Sequence, residues 1–87
     1  MAKPQPSDEF KRTFTAGIRA ARVNKGLTQI QMAKLLGIPQ DHYKQYEGRT
    51  LMPHLLLAAF CHETQLNASQ LLAEAGAAAA RAQRRVA

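Results

Sequence analysis

Gly37, Ile38 and Pro39 interrupt the chain so sharply that residues 28–47 cannot be one helix and must form two short ones. Upstream of the break, Thr28 and Gln31 have the spacing of a capping box. Ile30, Ala33 and Leu36 then fall on one stripe of a helix, with Met32 and Leu35 beside it. Downstream, Pro39 suits a helix start, because its missing N–H would have no partner there. The second helix is predicted from Pro39 or Gln40 to about Glu47, with Gly48 ending it. Gly37 supplies a residue tolerant of positive φ. Ala33, four residues earlier, is small enough for the helices to cross closely, and Ile38 plugs the gap between them. Two short helices joined in this way match a helix-turn-helix.

The flanking segments read as helices too. Ser7 is a candidate cap, followed by Asp8 and Glu9, whose charge suits a helix N-terminus. Phe10, Phe14, Ile18 and Ala21 share one face, and Arg12, Arg19 and Lys25 fall mainly on others. This first helix is predicted from about Asp8 to Lys25, stopped by Gly26 and weakened in the middle by Gly17. Pro53 opens another helix, carrying Leu55, Leu56, Leu57, Phe60 and Cys61. Asn67 with Gln70 repeats the capping-box pattern before Leu71, Leu72 and Ala75. The expectation is an all-α, compact five-helix domain over residues 8–75. A disordered lead-in would occupy residues 1–7, and an Ala/Arg-rich tail with almost nothing to bury would occupy residues 76–87.

Composition narrows the chemistry. A chain of 87 residues fits one domain, and a formal net charge of +6 is compatible with a polyanionic partner but is a weak signal alone. Cys61 is the only cysteine, so no internal disulfide can form. No signal-peptide pattern and no apolar run of membrane-spanning length occurs, so a cytoplasmic location without membrane association is expected. Cys61-His62-Glu63 does not suit a metal, because adjacent helical side chains point about 100° apart, and His42 and His54 lie at no recognised ligand spacing. With no phosphate-cradling glycine loop and no supported acid–base pair, neither cofactor nor enzymatic activity is expected.

Gly26-Leu27-Thr28-Gln29, Met32-Ala33, Leu36-Gly37-Ile38, Tyr46-Glu47 and Pro53 together resemble the Cro/C1-type (XRE-like) helix-turn-helix family, over roughly residues 18–72. The resemblance implies a lambda-repressor-like domain that places residues 40–47 in the major groove of double-stranded DNA. It implies that Gln29 contacts a phosphate and braces Gln40, and that Gln40 reads adenine. Asp41, Lys44 and Gln45 take the other positions that face base edges. Arg22 and Glu47 match a pair tying the first helix to the end of the recognition helix. Three positions depart from the family pattern. Pro39 replaces a Ser or Thr cap, Tyr43 stands where Ile, Val or Leu is usual, and Gly48-Arg49 reverses the common order after the glutamate.

The expected function is therefore that of a sequence-specific transcriptional regulator, acting as a homodimer on paired half-sites. Lys25, Lys34 and Arg49 are candidate phosphate clamps. Arg81, Arg84 and Arg85 read either as a solvated helix end or as a DNA-touching arm. The alternative is a protein-interaction module on the same scaffold, an antitoxin or a bridging cofactor, in which the tyrosine-containing third helix meets a protein surface.

Overall fold

Five helices make up the computed structural model, which describes residues 5–86: α1 (Pro6–Asn24), α2 (Gln29–Leu36), α3 (Gln40–Tyr46), α4 (His54–Thr64) and α5 (Ala68–Val86). Residues 1–4 of the expected lead-in, and the side chain of Arg85, lie outside the described residues. No strand occurs among the described residues, and no helix is long and apolar enough to cross a membrane.

The caps explain most of the boundaries. Thr28 Oγ1 accepts from Gln31 N–H at 3.1 Å while Gln31 Oε1 accepts from Thr28 N–H at 2.9 Å, a complete capping box. Gly37 closes α2 at φ +70°, which lets Ile38 N–H reach Ala33 C=O at 3.0 Å. Asn67 caps α5 by accepting from Gln70 N–H at 3.1 Å, but Gln70 turns its side chain toward Glu74. At α1 the sequence points to Ser7, whereas the structure uses Gln5 as N-cap, without a side-chain bond. Pro6 takes the first helical position, where the absent N–H is no loss, so the expected lead-in is already helical at residues 6 and 7. Pro39 and Pro53 are N-caps rather than first helical residues.

Every helix contributes to the core. Phe14 and Ile18 from α1 meet Met32 and Ala33 from α2, Tyr43 from α3, Leu57 and Phe60 from α4, and Leu71 and Ala75 from α5. The predicted stripe on α2 is rotated. Met32 and Ala33 are buried while Ile30 and Leu35 are each 51% exposed, because α2 packs against both α3 and α4. That contact arc is centred between Met32 and Ala33, and it leaves Ile30 and Leu35 at its two edges.

The longest packing seam joins α1 to α5. Gly17 sits against Leu71, and a Cβ there would lie 2.3 Å from Leu71 Cδ1, so glycine permits the close approach. Beyond Gly76 the helix continues without a break, and Ala78 and Ala82 are buried. The segment expected to bury almost nothing thus extends the seam with methyl groups.

Gly37→Ala should cost about 1–2 kcal/mol, the strain of a left-handed residue with a Cβ. At roughly 4–8 °C per kcal/mol for a domain of this size, thermal unfolding would detect it. An unchanged Tm would show that the turn does not require glycine.

Candidate nucleic-acid interface

Glu47, one residue past α3, collects hydrogen bonds from three helices. Arg22 of α1 donates from Nε to Oε2 at 2.6 Å and from an Nη to Oε1 at 3.2 Å. Gln29, at the start of α2, donates its amide to Oε1 at 3.1 Å. Tyr43 of α3 donates its hydroxyl to Oε2. Arg22 also donates to Leu27 C=O at 2.7 Å, which ties the α1–α2 connection to the same cluster. The Glu47 side chain is only 4% exposed and that of Arg22 12%, so this is a largely buried ion pair, and each Glu47 oxygen accepts two hydrogen bonds.

Tyr43 resolves the departure at its position. Its ring is fully buried and stacks on Phe60 at a centroid distance of 6.4 Å, while its hydroxyl finds Glu47. The network tunes its own members. Burial and then the bond to the Glu47 carboxylate raise Tyr43 well above the usual phenol range. Burial pushes the Glu47 carboxyl up, but the bonds from Arg22, Tyr43 and Gln29 outweigh it and hold the group below its ordinary value. The bond to Glu47 raises Arg22, against the opposing effect of burial.

With Tyr43 turned inward, the opposite side of α3 is open. Gln40, Asp41, Lys44 and Gln45 are all exposed there. A groove of about 680 Å³ brings Gln40 and Lys44 together with Gln29, Ile30 and Arg19. A second, of about 530 Å³, holds Asp41, Lys44, Gln45 and Arg49. The loop after α3 is fastened from within, since the N–H groups of Gly48, Arg49 and Thr50 all point to Gln45 C=O at 2.9–3.2 Å. The reversed Gly48-Arg49 order is accommodated without a positive φ at Gly48.

Some predicted placements differ. Gln29 bonds to Glu47 rather than bracing Gln40, although both residues line one groove. Lys25 lies in a separate depression beside Thr64 and Asn67, and Lys34 is exposed near the end of α2. Arg19 joins the α3 groove although the sequence reading set it aside. The available signal was its position one turn before Arg22, on the same side of α1.

Removing one partner of a buried pair strands the other, so Arg22→Ala should lower unfolding free energy by about 3–5 kcal/mol; an unshifted denaturation midpoint would contradict this. The depressed Glu47 carboxyl contributes stability that is complete above its unfolded value of about 4.3 and is lost as pH falls through its lower folded value. Below about pH 4.3, the stability of Glu47→Gln should therefore fall less steeply than that of the wild type, and parallel curves would contradict the assignment.

Comparisons with known proteins follow the same geometry. The model of the helix-turn-helix family matches residues 18–48. Two crystal structures of the clp gene regulator ClgR from Corynebacterium glutamicum are similar in fold. One is 24% identical with a TM-score of 0.69, covering 88% of this chain and 95% of that one. The other is 25% identical with a TM-score of 0.71, covering 98% and 89%. No curated protein sequence matches significantly. The matched residues 18–48 have α2 and α3 at their centre, so the similarity to the helix-turn-helix family falls on the pair of helices that carries the candidate interface.

Proposed function

We propose that this chain is a transcriptional regulator that binds double-stranded DNA sequence-specifically by laying α3 in the major groove. The observation that carries this reading is the division of α3 into two sides. One side is held to the core and to Glu47 through Tyr43, and the other presents Gln40, Asp41, Lys44 and Gln45 to solvent. A major groove about 12 Å wide accepts a single helix. Gln40 has the two-pronged amide that pairs with adenine N6 and N7, Lys44 donates to guanine, and Asp41 accepts from cytosine N4. Gln29 and Arg49 flank the helix and hold phosphates.

The similarity to structures described as a clp gene regulator supports the same reading. Binding as a homodimer would place two copies of α3 on half-sites about one helical turn apart. The rival reading, in which the tyrosine-containing α3 meets a protein surface, loses Tyr43 as a contact because that ring is fully buried, and keeps only the partly exposed Tyr46.

Selection of bound duplexes from random DNA should return a defined site. Gln40→Ala should then lose about 1–3 kcal/mol of discrimination at one base pair and little elsewhere. An unchanged preference at every position would overturn the role given to Gln40. Binding that selects no site at all would overturn sequence-specific recognition.

A further inference from the structure

The surface around α3 does not end at the helix-turn-helix. An adjoining groove of about 760 Å³ runs along the outer side of α1 and reaches Glu47 and Gly48. Lys11, Arg12 and Arg19 line it, over Ala16 and Ala20, whose small side chains leave the helix approachable. Arg19 and Gly48 also line the groove containing Gln29, Gln40 and Lys44, so the two grooves form one continuous surface.

The charge along this surface is positive where it meets α3. The Glu47 carboxylate is occupied by Arg22, Gln29 and Tyr43, leaving it little capacity for another cation. Arg19 has no carboxylate within ion-pair distance among the described residues. Arg12 lies 3.7 Å from Glu9, but its side chain is 77% exposed, so the pair neutralises it weakly. Asp8 is the opposing charge, and it lies at the end of the groove nearest the start of α1.

We infer, on the reading of this chain as a duplex-DNA binder, that the outer side of α1 holds the phosphate backbone flanking the site read by α3. Arg19 is the nearest clamp, with Lys11 and Arg12 further along. From Lys11 to Arg19 the helix rises about 12 Å, at 1.5 Å per residue. A DNA strand carries one phosphate per roughly 3.4 Å of axis, so this length faces more than one. An acidic protein segment would meet the same charges, but continuity with the α3 groove through Arg19 favours the DNA strand.

The test is the salt dependence of binding, measured with the full chain on a duplex containing the selected site and several flanking base pairs. Each phosphate contact contributes about 0.9 to the slope of log K against log salt. Arg19→Ala should therefore reduce the slope by about 0.9, and Lys11→Ala with Arg19→Ala by about 1.8. Arg19→Lys should preserve it. Arg81→Ala, an exposed charge on α5, should leave it unchanged. Trimming the flanks should bring the wild-type slope down to that of the variants. An unchanged slope for Arg19→Ala overturns the inference, as does an equal fall for Arg81→Ala, which would leave nothing particular to the outer side of α1. If those results accompany a loss of base preference in Gln40→Ala, only the α1 assignment fails. A wild type with no salt-dependent duplex binding removes the DNA reading along with it.

Discussion

The carboxylate of Glu47 is the constraint on which the arrangement of the first three helices depends. Burying an unpaired carboxylate costs several kcal/mol, so the fold is viable only where cationic and neutral donors converge on it. Arg22 and Gln29 come from two other helices and reach Glu47 only where those helices meet the end of α3, while Tyr43 reaches it from within α3. Such a pair adds little net stability compared with a well-packed apolar replacement. Its effect is geometric, because sliding α3 along its axis would break several bonds at once.

Tyr43 joins this polar cluster to the apolar core. An isolated helix as short as α3, Gln40–Tyr46, would not persist in water. It is held by a ring stacked on Phe60 and a hydroxyl on Glu47, both on its inner side. Fixing the inner side fully is what frees the outer one. Gln40, Asp41, Lys44 and Gln45 have no packing duty, so their identities are open to selection by whatever they touch.

Local chemistry was the legible part of the sequence. Thr28 with Gln31, Gly37, Pro39 and Pro53 announce their boundaries because caps and breakers act within a few residues. The end of α4 was not legible, since Gln65 adopts φ +60° where no glycine or asparagine signals it. Nor was the rotation of α2, because periodicity reveals one buried face and not packing on two neighbours. For the candidate interface, Arg22, Gln29 and Glu47 were singled out by family resemblance, but their convergence on one carboxylate is tertiary. The Tyr43–Glu47 bond was readable from an i, i+4 spacing at a helix end. Arg19 was missed because its own face was judged against the core of α1 and not against the end of α3.

The alanine seam between α1 and α5 divides the molecule into tiers. Near Leu71 and Ala75 the seam joins the main core, with large side chains on several helices. Toward Ala78 and Ala82 the side chains buried from α5 among the described residues are methyl groups, and each contributes far less transfer free energy than a leucine. That end of α5 relies on helix propensity and close contact. It is where local opening is cheapest, so the C-terminal turns can separate from α1 while the cluster around Glu47 stays closed.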